Sequence, residues 1–107
     1  MEQVLTEQTL RQLVQRIIET VHPQQIILFG SAARGEMRPN SDADFLVIVP
    51  ASVHRRRLAQ SIYRNLVGVG FAADIVVVTT DDVKRYREHP GMVIRSALAE
   101  GRVVYAS

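Results

Sequence analysis

Leu10, Leu13, Val14, Ile17, Ile18 and Val21 recur three and four residues apart, a spacing that predicts an amphipathic helix. Thr6 stands where it caps that helix, with Glu7 in the first turn and Leu5 and Leu10 set for a hydrophobic staple. His22-Pro23 ends it, because the residue before a proline avoids the helical region. The pattern then changes. Ile26 to Phe29 is a short continuous apolar run between Pro23 and Gly30, which reads as a buried strand. Phe45 to Val49, stopped by Pro50, reads as a second strand, and the valine-dense run Phe71 to Thr79 as a third. Residues 30–42, rich in Gly, Ser, Asn, Pro and Arg, form a loop between the first two, with room for a helical turn near Ala32.

Ser52 opens a second helix, with Leu58, Ala59, Ile62 and Leu66 on its inner face. Gly68 and Gly70 break the chain before the third strand. Thr80, Asp81 and Asp82 start a short helix that ends by His89-Pro90. Met92 to Glu100 gives a last helix with Gly101 as its stop, and Val103 to Tyr105 adds an edge strand. The order is helix, strand, strand, helix, strand, helix, helix, strand. Two consecutive strands argue against a purely alternating parallel sheet. The expectation is an α+β fold: a mixed sheet of three to four strands with helices packed mainly on one face.

Composition bounds the rest. A chain of 107 residues is expected to form a single domain, 1–107, around one modest core. With 47% hydrophobic and 22% charged residues it has the balance of a soluble protein rather than a disordered or membrane one. No apolar run nears the roughly 18 residues that a membrane span needs. Met1 to Thr20 is amphipathic and acid-bearing, so it does not read as a secretory signal. The absence of cysteine excludes disulfides and cysteine-ligated zinc, and fits a cytoplasmic location. Of 13 basic residues only Lys84 is lysine; the arginines suit oxyanion contacts, although compositional bias explains them equally well. His22, His54 and His89 show no ligand spacing. Arg55, Arg56 and Arg57 lack interleaved aromatics to stack bases, so nucleic acid is not the expected partner. Tyr63, Tyr86 and Tyr105 read as packing residues, and nothing in the sequence selects one of them as a modification site.

Three features carry chemistry. Asp42 and Asp44 open the second strand, and side chains two apart on a strand share a face. Two carboxylates so placed repel unless a cation lies between them, and a hard divalent ion prefers oxygen ligands. Alone, such a pair is usually a solvated loop or a cap. Gly30-Ser31 follows the first strand directly, where a glycine lets backbone amides approach a ligand and a hydroxyl adds a donor. Asp74 lies in an apolar strand, where a carboxylate must be paired, hydrogen-bonded, metal-bound or reach solvent at the strand's end.

In sequence these are Gly30-Ser31-Ala32-Ala33-Arg34-Gly35, ten residues between Ser31 and Asp42, then Ser41-Asp42-Ala43-Asp44, with Asp74 on a later strand. The combination resembles the signature of the DNA polymerase beta-like nucleotidyltransferase superfamily. The Ala-Arg-Gly step and the ending from Val93 to Tyr105 resemble its minimal subfamily, the MNT proteins. The resemblance runs from about Pro23 onward. It implies the polymerase beta-like fold. It implies that Gly30 and Ser31 grip a nucleoside triphosphate, ATP being the expected substrate. Asp42 and Asp44 would ligate metal, and Asp74 would serve as third ligand and help to activate the attacking hydroxyl. The metal implied is a pair of magnesium ions, with manganese as the alternative. Arg34, and Arg38 beyond it, lie in the loop between the motifs, where either can touch phosphates or stay solvated. Many relatives carry Arg where Ala32 stands, which weakens one phosphate contact, and Leu where Phe45 stands, an apolar exchange.

MNT proteins often pair with a helical HEPN-type toxin, and related antitoxins transfer AMP to a tyrosine of that toxin. The resemblance therefore implies a metal-dependent protein adenylyltransferase antitoxin, working in a homo- or hetero-oligomer. This chain has no room for the helical acceptor domain of larger relatives, which points the same way. The alternatives are a non-catalytic module that neutralises its partner by covering it, and transfer to a small molecule or an RNA end.

Overall fold

The computed structural model describes residues 5–33, 35, 42–50 and 54–107. Arg34, Arg38, Ser41 and Ser52 lie outside the described residues, so the expectations for them stand as sequence readings. The elements are α1 (Glu7–Val21), β1 (Gln25–Phe29), β2 (Ala43–Val49), α2 (Arg55–Leu66), β3 (Ala73–Thr79), α3 (Thr80–Tyr86), α4 (Val93–Glu100) and β4 (Arg102–Ala106).

The four strands lie in the order β3-β2-β1-β4. β1 runs antiparallel to both β2 and β4, while β2 and β3 are parallel. The sheet is therefore mixed, as two consecutive strands imply. A parallel pair needs a long crossover, and α2 supplies it.

Alternation along β2 explains the two cores. Ala43, Phe45, Val47 and Val49 face the larger one, together with Leu13 and Ile17 of α1. Leu46 and Ile48 face the opposite side, against Ile94 and Ala97 of α4. A strand buried on both faces reads as an unbroken apolar run. The larger core lies under the two longer helices, α1 and α2, and the short helices α3 and α4 cover the other face.

Local chemistry sets the ends. Thr6 accepts the Thr9 N–H at 3.1 Å and starts α1. Pro23 denies His22 the right-handed region, and His22 leaves the helix at φ 47°, ψ 61°, its N–H still donating to the Ile18 carbonyl. β2 begins at Ala43, two residues before Phe45, because the parallel ladder to β3 already pairs Ala43 with Ala73 and Asp44 with Asp74.

Gly101 ends α4, as expected, but not by a left-handed turn. Its backbone is extended at φ −80°, ψ 167°. Glycine is needed there for space: a Cβ would collide with the Ala97 carbonyl oxygen and Ile27 Cγ2. Gly101→Ala should lower stability by about 1–3 kcal/mol, the usual cost of overpacking. Chemical denaturation measures this, and a variant as stable as the wild type contradicts it.

α3 begins with a capping box. Thr79 accepts the Asp82 N–H at 3.1 Å, and Asp82 accepts the Thr79 N–H at 2.9 Å. Asp82 also takes Arg55 of α2 in two bonds, from Nε at 2.7 Å and Nη2 at 2.9 Å. The Arg55 hydrogen bond, helped by those from Thr79 and by the Arg55 charge, holds the Asp82 carboxyl below its ordinary value against partial desolvation. A carboxylate depressed in the folded state stabilises the fold above its unfolded pKa, about 3.9. That contribution is lost as the pH falls through the lower, folded value. Denaturation midpoints should therefore drop less steeply with acid in Asp82→Asn than in the wild type. Parallel curves would contradict the pairing.

Candidate active site

The site is assembled where β1 ends beside the start of β2. Phe29 pairs with Asp44, and the chain turns immediately afterwards at Gly30, with φ 72°. Glycine adopts that left-handed conformation without a Cβ penalty. It is required for a second reason: a Cβ on Gly30 would collide with Asp44 Oδ2. The Asp44 carboxylate therefore lies directly against the Gly30 backbone. Ser31, Ala32 and Ala33 continue the turn, and both alanines pack on the larger core. This ties the turn to the rigid part of the fold.

On the other flank of β2, Asp74 is the direct register partner of Asp44 in the parallel ladder. Neighbouring strands lie about 4.8 Å apart, and register partners present their side chains to the same face. Asp44 extends the row of Leu46 and Ile48 toward the strand's start and is half-buried, while Asp42, just before β2, is exposed. The fold thus brings Gly30, Asp44 and Asp74 side by side across three strand ends, with Asp42 one step beyond. Arg34 cannot be placed, since it lies outside the described residues.

Sequence reasoning missed Tyr63. From α2 its hydroxyl donates to Asp74 Oδ1 at 3.1 Å and accepts the Ile75 N–H at 2.8 Å. Partial desolvation raises the Tyr63 phenol above its ordinary value. The Ile75 N–H opposes that rise, and the hydrogen bond to Asp74 with the nearby charges of Asp74 and Asp42 adds to it. The only sequence signal was that Tyr63 sits beside Ile62, off the Leu58, Ile62, Leu66 stripe that seats the helix. Its partner lies on another element, which helical periodicity cannot reveal.

The donor set suits a hard cation. Asp42, Asp44 and Asp74 offer only oxygen, which magnesium and manganese prefer, and the Asp44 carboxylate lies close against Gly30. Among the described residues, no group of three or more His, Cys, Asp or Glu side chains is gathered tightly enough to hold a metal as placed. The Asp74 carboxylate is turned to Tyr63 through Oδ1.

A glycine turn beside carboxylates at adjoining strand ends is an arrangement that suits an anion and a hard cation together. Residues 8–104 match the family model described as a nucleotidyltransferase domain, and the chain belongs to that family. Its activity class is nucleotidyl transfer. No curated protein matches the chain.

Solved structures of similar fold include toxin–antitoxin complexes. A chain from the crystal structure of a toxin–antitoxin with AMP-PNP is 24% identical, with a TM-score of 0.55 over 96% of this chain and 75% of that one. A chain from the complex of tri-AMPylated Shewanella oneidensis HEPN toxin with MNT antitoxin is 17% identical, with a TM-score of 0.57 over 96% and 74%. A Sulfolobus solfataricus protein described as a candidate nucleotidyltransferase is 16% identical, with a TM-score of 0.63 over 92% and 78%. At these identities the likeness is one of fold.

Proposed function

We propose that this chain is an MNT-type antitoxin that transfers AMP from ATP to a tyrosine of a HEPN-type toxin partner. One observation carries the reading: the Asp44 carboxylate rests on the Gly30 backbone, with Asp74 as its register partner. A triphosphate held at a glycine turn then lies beside carboxylates that bind its counter-ion. The fold shared with MNT antitoxin complexes supports the choice of acceptor.

The residues have distinct roles. Gly30 lets the backbone approach the phosphates, and the Ser31 hydroxyl donates to a phosphate oxygen. Asp42 and Asp44 would hold magnesium, and Asp74 would complete the set. Magnesium, when bound, neutralises triphosphate charge and makes an acceptor hydroxyl more acidic. Asp74 sits to orient that hydroxyl and draw its proton as the oxygen attacks the α-phosphorus in line and pyrophosphate leaves. Arg34 is assigned a phosphate contact on sequence position alone.

The purified pair, incubated with magnesium and ATP labelled at the α-phosphate, should place label on a toxin tyrosine, read by peptide mapping. If no label reaches the toxin, and Asp42→Asn still protects cells, the chain neutralises its partner by covering it. Label on RNA or on a small molecule instead would reassign the acceptor.

A further inference from the structure

Among the described residues β3 is an edge strand of the sheet, so the backbone N–H groups on its outer side have no strand to pair with. The Ile75 N–H is answered by Tyr63, whose oxygen accepts it at 2.8 Å. That bond fixes the phenolic oxygen. The hydroxyl hydrogen is then directed to Asp74 Oδ1 at 3.1 Å. The chain of donors runs one way, from the backbone through the phenol to the carboxylate. A carboxylate has about four lone-pair sites, so a single bond at Oδ1 orients the group and leaves Oδ2 for other partners.

We infer that Tyr63 is a positioning residue for nucleotidyl transfer: its hydroxyl, anchored by the Ile75 amide, holds the Asp74 carboxylate in the orientation that the reacting hydroxyl meets. The inference rests on the reading of Asp74 given above. A packing role accounts for less of the geometry. Tyr63 remains 41% exposed, whereas Ile62 and Leu66 are buried and seat the helix without it. Asp74 is itself exposed, and among the described residues the Tyr63 hydroxyl is the hydrogen-bond partner that orients its carboxylate. Misplacing a reacting group by about 1 Å can cost roughly 100-fold in rate, and losing the partner that orients a ligand typically costs about 10–100-fold.

Tyr63→Phe keeps the ring and removes the hydroxyl. In the toxin–antitoxin pair, with α-labelled ATP, kcat should fall about 10–100-fold while KM for ATP stays within about twofold. The denaturation midpoint should hardly move. In the chain alone, without metal, the Ile75 amide should exchange its hydrogen faster. On an Asp74→Asn background Tyr63→Phe should lower the residual rate no further, because it acts through that carboxylate. A Tyr63→Phe variant with wild-type kcat, beside an inactive Asp74→Asn, overturns the inference and leaves the role of Asp74 standing. So does a loss of rate that merely tracks a loss of folded protein. Wild-type transfer by Asp74→Asn overturns the third-carboxylate reading itself, and the positioning role falls with it.

Discussion

Asp44→Asn should abolish nucleotidyl transfer, lowering kcat by about three orders of magnitude, while the fold survives. Metal-ion charge stabilisation of the transferring phosphoryl group is worth several kcal/mol, and about 1.4 kcal/mol is tenfold in rate. Asparagine fills the same space against Gly30 but brings no charge, and its NH2 group cannot ligate a cation. Stability should change by less than about 1 kcal/mol, because Asp44 and Asp74 are facing like charges in adjacent strands and losing one relieves their repulsion. Label transfer and thermal melting measured on the same sample separate the two effects. Wild-type transfer by this variant would remove Asp44 from the site. A collapse of melting temperature would make its role structural.

Gly30→Ala should be almost as damaging, by a different route. Position 30 has φ 72°, a left-handed conformation that costs a non-glycine residue about 1–2 kcal/mol. The added Cβ also meets Asp44 Oδ2, so the carboxylate must move or the turn must open. Either outcome displaces the charge from the backbone amides proposed to hold the phosphates. The rate should fall about 100-fold, with only the modest stability loss of the backbone term. A variant that keeps full activity would show that the turn and the carboxylate work independently.

Much of the fold was legible because periodicity is a strong signal. The i, i+3, i+4 run from Leu10 to Val21 gave α1 and its Thr6 cap. The unbroken apolar stretches gave β1, β2 and β3, since each strand is covered on both faces near its centre. The boundaries were less visible. Asp42 and Asp44 were both expected to open the second strand, but only Asp44 lies inside β2, where Phe29 and Asp74 pair with it; Asp42 stands just before the ladder begins. Gly101 was read as a conformational requirement but is a steric one, set by Ile27 on a distant strand.

The candidate site divides in the same way. Spacing and resemblance singled out Gly30-Ser31, Asp42, Asp44 and Asp74, and the register of β1, β2 and β3 brings Gly30, Asp44 and Asp74 to neighbouring strand ends. Tyr63 was invisible because its hydroxyl bridges two elements. Its two hydrogen bonds, one to backbone and one to a carboxylate, exist only after α2 crosses over to β3.

The most direct test is crystallographic. The protein would be crystallised with manganese and a non-hydrolysable ATP analogue, and the metal located by its anomalous scattering. Manganese should be bonded to carboxylate oxygens of Asp42 and Asp44, with the triphosphate against the Gly30-Ser31 amides. A bound nucleotide with no metal at either aspartate, or manganese only at Asp81 and Asp82, would contradict that placement.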